Sequence, residues 1–515
     1  MSCRSISPTN MPTRIKKIIR RRNVPESKFQ KAFDYFAECG YDLYEYQREG
    51  VRFMVQRETD PEFRNAGLLC DEPGLGKTIQ TVATMYINPK LTLLVLPKCV
   101  ISQWRDVLKL IFPDVGIYIH HGHKRCFNLN ELRDELSRSQ IVLTTYGTFN
   151  DVLPLHKWGR IVYDEIHFLR NRKTSRSRAA RAMNSSCYWG LTGTPVNNKI
   201  DDLKTIYKVL HFPEIVLEKS ESDYFEDLNR RYIMRRTKRD VEHINPLLKL
   251  PELRVRTVTT QFKYKEEWEV HRDVMEQIYK RYGENPNWKL VTLEWLMRMR
   301  QATIHPRLVD IGLDRKWGLS ISELKEACRV KSTKFEVILE MIKKHLDEKT
   351  LIFNYYREEM DILTTVLARA DIRVFRIDGS MSIEEREDEV SEFRSTDLPS
   401  VMMIQIAAGS VGMNLQFASR VYITSPHYNP SVEIQAIARA HRIGQTRPVE
   451  VVRLAIVEDG FIETSIMDKQ AEKRYIMSMV FDDDKLNDIG TVEEVSRTLL
   501  NRTPNETARR TQISL

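Results

Sequence analysis

Asp71-Glu72-Pro73-Gly74-Leu75-Gly76-Lys77-Thr78 stands between the apolar run Ala66 to Cys70 and the helix-forming run Ile79 to Tyr86. The order is strand, glycine loop, helix, and it reads as a cradle for nucleotide phosphates. Gly74 and Gly76 let successive backbone N–H groups turn toward phosphate oxygens. Lys77 brings a positive charge to the terminal phosphates, and the Thr78 hydroxyl is suited to ligate Mg²⁺. The strict pattern asks for Gly where this chain has Asp71. A glycine turn between any strand and helix is the bland alternative; the Lys-Thr pair in this setting outweighs it. Residues 71 to 78 are therefore all candidates for nucleotide binding.

A second element points the same way. Ile161-Val162-Tyr163 is a β-prone run that ends in Asp164-Glu165-Ile166-His167. Two carboxylates then sit at the carboxyl end of a buried strand, where α/β sheets build their ligand crevice. Asp164 is suited to hold Mg²⁺ through its water shell, and Glu165 to polarise the attacking water. A solvated acidic pair is the alternative reading, and the upstream phosphate loop disfavours it.

The chain has 515 residues, too many for one core, and 42% hydrophobic content supports globular domains. Its 80 Lys and Arg against 71 Asp and Glu give a net charge of +9, which permits a basic surface without demanding one. Arg14 to Arg22 concentrates basic residues near the N-terminus. It reads equally as a nuclear address, a nucleic-acid arm or a solvated tail. Seven cysteines at 3, 39, 70, 99, 126, 187 and 328 form no CxxC pair, which argues for a reducing compartment. Met1 to Asn10 has no apolar core and no segment approaches membrane-spanning length, so a soluble intracellular protein without membrane contact is expected. His120, His121, His123 and Cys126 lack a second ligand pair, and a polar loop after a strand over 115–119 is preferred to a zinc site.

Strand-like runs alternate with helical patterns twice, the signature of parallel α/β sheets. The first set spans Gly67 to Leu191 and the second Thr350 to Leu454. The sequence thus predicts an α/β protein of two similar lobes with a mostly helical, protruding segment between them. The expected divisions are a basic tail over 1–27, a nucleotide-binding lobe over 28–250, a helical insertion over 251–330, a second lobe over 331–480 and a polar tail over 481–515. A short helical pattern is read at Val492 to Asn501.

Taken in order, the blocks resemble the Swi/Snf-type branch of the superfamily-two helicase-like ATPases over roughly residues 40 to 478. They include LYEYQREG from Leu43, DEPGLGKT from Asp71, LVLPKCVISQW from Leu94 and LTTYGT from Leu143. DEIH from Asp164, LTGTP from Leu191, MRRTKRDV from Met234 and MRMRQATIHP from Met297 follow. The second lobe offers LIF from Leu351, RIDGSMS from Arg376, AGSVGMNL from Ala408 and QAIARAHRIGQ from Gln435. Overall size is similar to that of compact viral members of the family, baculoviral ones included.

The resemblance implies two RecA-like lobes, ATP with Mg²⁺ as cofactors, and double-stranded DNA as partner. Gln47 should read the adenine edge, and Leu191 to Pro195 should couple nucleotide state to lobe movement. Pro97, Trp104, Thr144 to Tyr146 and Ala408 to Leu415 fall in blocks that contact the DNA backbone in the family. Gln435, Arg439 and Arg442 are spaced four and three apart, so a helix carries them on one face. The resemblance points that face into the ATP cleft, with Arg439 and Arg442 as arginine fingers. An exposed basic helix face is the alternative. Ala407, Ser410, Ile166 and the His427-Tyr428 pair depart from frequent family residues, and none removes a catalytic group.

The sequence is accordingly read as a DNA-stimulated ATPase that tracks along duplex DNA and displaces or remodels bound protein in transcription regulation, in the nucleus, or the host nucleus if viral. Its catalytic set is Lys77, Asp164, Glu165, Arg439 and Arg442. A strand-separating helicase is the alternative enzyme reading, and a scaffold without turnover the non-enzymatic one.

Overall fold

The computed structural model describes residues 24–60, 63, 65–149, 152–193, 200–212, 227–228, 230–244, 249–283, 291, 293–313, 320–406, 413–457, 461–481 and 491–494. The basic stretch at 14–22 lies outside the described residues, as do Thr194, Pro195 and 407–412.

Two seven-stranded sheets, parallel throughout, organise the chain into RecA-like lobes. The first lobe holds β1 (Ala66–Leu69), β2 (Thr92–Leu96), β3 (Ile117–His120), β4 (Ile141–Thr145), β6 (Arg160–Asp164), β8 (Tyr188–Leu191) and β9 (Ile233–Met234). β5 (Lys157–Trp158) and β7 (Asn184–Ser185) form a separate small ladder. The spatial order is β3-β4-β2-β6-β8-β1-β9. The second lobe comprises β10 (Leu253–Thr260), β11 (Thr350–Asn354), β12 (Arg373–Ile377), β13 (Ser400–Gln405), β14 (Arg420–Ile423), β15 (Val449–Ile456) and β16 (Thr491–Glu494). Its order is β12-β13-β11-β14-β15-β10-β16.

Both faces of each sheet are covered, so the strands read as continuous apolar runs whose alternate residues feed two cores. In the first lobe Leu93, Val95, Ile161 and Tyr163 enter one core, while Leu94, Leu96, Val162 and Leu191 enter the other. In the second, Ile352, Met403 and Leu454 face one way and Phe353, Met402 and Val451 the other. Helix Glu26–Glu38 buries Phe29, Ala32, Phe33 and Phe36, a helical-period stripe, against the second of the first-lobe cores. Helix Glu45–Thr59 is tied to β6 and β8 by a buried carboxylate: Glu58 accepts Arg160 at 2.6 and 2.5 Å and the Trp189 indole at 2.9 Å.

Three expectations need correction. β10, grouped from sequence with the helical middle, pairs in full with β15 and belongs to the second sheet. Thr491–Glu494, expected as the start of a helix in a polar tail, is an edge strand on β10. The run Arg254 to Phe262 is itself strand-patterned, so for β10 the sequence-distant partner decides only which sheet it joins, whereas for Thr491–Glu494 it decides strand identity as well. The middle helices also do not simply protrude. Val274, Ile278, Met299 and Val309, from the segment 265–313, pack with Ile462 and Ile466 of the helix Ile462–Phe481 that follows β15.

His120 ends β3 instead of lying in a loop, and Tyr118 gathers it with Cys126 through contacts of 3.3 and 3.0 Å. His123 is exposed, so the cluster does not converge. Among the described residues six cysteines are free and no helix is long and apolar enough to cross a membrane.

Candidate functional site

The glycine loop leaves β1 and enters helix Lys77–Ile87 directly. Gly74 has φ 96° and Gly76 φ 79°, conformations that side chains with a Cβ adopt at a cost of about 1 kcal/mol or more. At Gly76 a Cβ would also stand 2.4 Å from Gln47 Nε2, so the Gln47 amide would have to move aside. The Lys77 ammonium folds over the loop and donates to the Asp71 carbonyl at 2.6 Å and that of Glu72 at 3.4 Å. Pro73, Gly74, Gly76, Lys77 and Thr78 line a cleft of about 420 Å³.

Asp71, Glu72 and Leu75 were expected to bind nucleotide through this loop, and their side chains turn elsewhere. The Asp71 carboxylate is fully buried on Arg236, accepting from Nε at 3.0 Å and Nη2 at 2.5 Å, with Gln80 adding 3.1 Å. Arg236 also donates to the Tyr46 carbonyl. Glu72 accepts the backbone N–H of Lys238 at 2.9 Å, and Leu75 is buried against Tyr46 and Val241. The aspartate in place of the pattern's glycine is thus a tether that holds the loop to the chain at 234–241. Gln47 lies on the cleft wall. Its Oε1 accepts the Tyr44 N–H at 3.1 Å and its Nε2 donates to the Leu75 carbonyl at 3.3 Å, so the same amide caps its own helix and supports the loop.

Across the cleft β6 ends at Asp164, and Glu165 takes φ 51° and ψ 52°. A left-handed glutamate costs about 1 to 3 kcal/mol and persists only where its surroundings fix it. Here Thr192 donates to Glu165 Oε2 at 3.2 Å, and His167 Nδ1 lies 3.2 Å from the same oxygen. Asp164 Oδ2 accepts the Trp104 indole N–H at 3.0 Å, and its carbonyl accepts the Tyr146 hydroxyl at 2.6 Å.

These environments push two neighbouring carboxylates apart. Burial, then the charge of Glu165, raises Asp164, with the Trp104 hydrogen bond and Lys77 opposing. Burial also acts to raise Glu165, but His167, Lys77 and Thr192 together hold it below its ordinary value. Glu165 is the more acidic of the pair.

Trp104 and Thr144 to Tyr146 do not present side chains to a DNA backbone. All are buried, Trp104 at 1% exposure, and the aromatic pair braces Asp164 from behind. The exposed parts of those two segments are Lys98, Gln103 and Gly147.

The second lobe completes the cleft with Gln435, Ala438, Arg439 and Arg442. Helix Pro430–Ala440, capped by the Asn429 side chain on the Ser431 N–H at 3.2 Å, carries Gln435 and Arg439. The helix ends before Arg442, which stands in the following turn and not on the same helical face. It still reaches the site: a Cβ at Gly74 would lie 3.3 Å from the Arg442 Cβ. Burial and the charge of Arg442 lower Arg439, while Glu165 and Asp164 pull the other way, so this guanidinium lies within the field of the carboxylate pair.

The arrangement suits a nucleoside triphosphate. Two loop glycines at positive φ open the cradle, and three cations of two lobes surround it. The Thr78 hydroxyl and Asp164 carboxylate are hard oxygen donors of the kind Mg²⁺ takes. Sequence reasoning placed His167, Thr192, Arg236 and Lys238 in family blocks without giving any of them its contact at this site. Beyond those blocks, the signal for the Arg236 contact was an aspartate where glycine is usual.

Residues 46–308 match the SNF2-related domain family and residues 333–444 the helicase conserved C-terminal domain. The chain is similar to the probable global transactivator of Orgyia pseudotsugata multicapsid polyhedrosis virus, at 25% identity over 87% of this chain and 93% of the relative. It is 27% identical to the SWI/SNF-related matrix-associated actin-dependent regulator of chromatin subfamily A member 1 of Homo sapiens, over 87% of this chain. The match spans 44% of the length of that longer relative. Among solved structures, the Sulfolobus solfataricus SWI2/SNF2 ATPase core in complex with double-stranded DNA aligns with 26% identity and a TM-score of 0.38, over 86% of this chain and 94% of the other. The chain belongs to the SNF2-related, Swi/Snf-type family of helicase-like proteins and is an ATP-hydrolysing enzyme.

Proposed function

We propose that this chain is an ATP-driven translocase on double-stranded DNA that remodels or displaces DNA-bound protein in transcription regulation, in the nucleus or, for a viral chain, the host nucleus. The observation that carries this reading is the shared cleft: Arg439 and Arg442 of one lobe stand over the phosphate loop and the Asp164-Glu165 pair of the other. A site split in this way is complete only when the lobes close, which makes catalysis and lobe movement one event.

In this reading the loop N–H groups and Lys77 bind the phosphates, and Gln47 and Gln435 border the nucleotide. Thr78 and Asp164 would hold Mg²⁺, which when bound neutralises charge on the phosphate oxygens. Glu165, kept anionic by its neighbours, accepts the proton of the attacking water. Its left-handed backbone and the Thr192 contact fix the direction of its carboxylate. Arg439 and Arg442 stabilise charge on the transferring phosphoryl group in the closed state. Relatives named for chromatin regulation and transactivation support the choice of a DNA-bound protein as the displaced substrate.

The test is ATP turnover of the purified chain with and without duplex DNA at fixed salt. Stimulation by duplex DNA of random sequence is expected, because contacts to phosphates carry no base information. Turnover indifferent to duplex DNA would overturn the reading.

A further inference from the structure

Lys238 begins the short helix Lys238–Ile244 of the first lobe, yet its side chain belongs to the second. Its ammonium donates to the carbonyl of His441 at 2.5 Å and lies 3.5 Å from His441 Nδ1. The other ring nitrogen of His441, Nε2, meets the carbonyl of Pro251 at 2.8 Å, in the segment that joins the lobes ahead of β10. One tautomer satisfies both contacts: Nε2 carries the proton and donates to Pro251, while Nδ1 accepts from Lys238. Burial and the charge of Lys238 push His441 down to about 4, so the ring is neutral and able to do this.

The position of this bridge matters more than its strength. His441 immediately precedes Arg442, so a donor fixed on the His441 carbonyl fixes the peptide plane from which the Arg442 side chain departs. The lysine side chain also runs beside the phosphate loop, its Cε lying 3.9 Å from where a Cβ on Gly74 would stand. Its backbone is held by Glu72 of the same loop at 2.9 Å. The ammonium is directed at a main-chain carbonyl although Glu72 and Glu242 lie near enough to favour its charge. Burial and the neighbouring Arg442 and Lys77 charges bring it down to about 8.

We propose that Lys238 is a positioning residue that seats the Arg442 turn against the phosphate loop, and that His441 extends this contact to Pro251 so that the interlobe segment moves with the seated arginine. The proposal rests on the reading of Arg442 as an arginine finger. It assigns to the MRRTKRDV block a part in assembling the closed site.

The experiment compares Lys238→Met, Lys238→Arg, His441→Ala and Arg442→Ala in the full chain, reading kcat and KM for ATP with saturating duplex DNA. Small-angle scattering with and without a non-hydrolysable ATP analogue reads closure separately from turnover. Lys238→Met should lower kcat by about tenfold or more with KM within about twofold, and should reduce the compaction caused by the analogue. Lys238→Arg, which keeps the donor, should recover most of the rate. His441→Ala leaves the carbonyl in place and should lose less than Lys238→Met. Binding of a fluorescent ATP analogue by each variant establishes that the first lobe is folded. A Lys238→Met protein that binds analogue, compacts and turns over like wild type overturns the proposal. If Arg442→Ala itself retains wild-type kcat, the finger reading has failed instead.

Discussion

The indole N–H of Trp104 donates to Asp164 Oδ2 at 3.0 Å, joining the helix Ile101–Ile111 to the carboxyl end of β6. The residue that the sequence places in a DNA-contacting block is therefore bonded to the carboxylate proposed to hold the metal. Trp104→Phe keeps most of the buried volume and removes the donor, and is expected to lower turnover several-fold with ATP affinity nearly unchanged. Trp104→Ala leaves a cavity and should cost about 3 to 5 kcal/mol in urea unfolding. Equal turnover in Trp104→Phe and wild type would show the bond to be idle.

Asp71→Gly restores the residue that the general phosphate-loop pattern prefers, and it is nonetheless expected to destabilise the first lobe. It strands Arg236, which is buried and bonded to that carboxylate. Removal of one partner of a buried ion pair costs about 3 to 5 kcal/mol. Denaturant unfolding of the variant measures it, and a loss below about 1 kcal/mol is incompatible with a tether role.

Lys77→Ala and Glu165→Gln should fail in different ways. The first removes a phosphate ligand and is expected to weaken nucleotide binding together with hydrolysis. The second keeps the shape and one acceptor oxygen while removing the base, so it should bind ATP and lose about 10²-fold or more in turnover. Fluorescent-analogue titration beside steady-state ATPase separates the two, and wild-type turnover in Glu165→Gln contradicts its assignment.

Arg442→Ala should cut maximal turnover by about 10²-fold or more, with the affinity of the free protein for ATP close to wild type. The cause is that a finger contributes only in the closed state. Loss of nucleotide binding in the same variant, measured by titration, would assign the arginine to structure.

The parts of this site that lie in contiguous blocks were legible in the sequence, because the phosphate loop and the Asp164-Glu165 pair follow from local chemistry. The two-lobe plan was legible for the same reason, since buried parallel strands announce themselves as apolar runs. What the sequence concealed is nonlocal. Asp71 and Arg236 meet across the first lobe, and nothing near either marks the other. The sheet that β10 joins, and the strand identity of β16, are set by a distant partner. The end of the helix at Ala440 moves Arg442 off the helical face that spacing assigned to it. The left-handed Glu165 depends on contacts from His167 and Thr192 that no short pattern encodes.

Triplex displacement beside forked-duplex unwinding, on one preparation with ATP, tests the central claim most directly. A translocase that moves on duplex DNA without opening it displaces the third strand and leaves the fork paired, and that is the result expected here, with duplex DNA a stronger ATPase activator than single strands. Efficient unwinding of the fork with preferential stimulation by single strands would contradict the account and establish a strand-separating helicase.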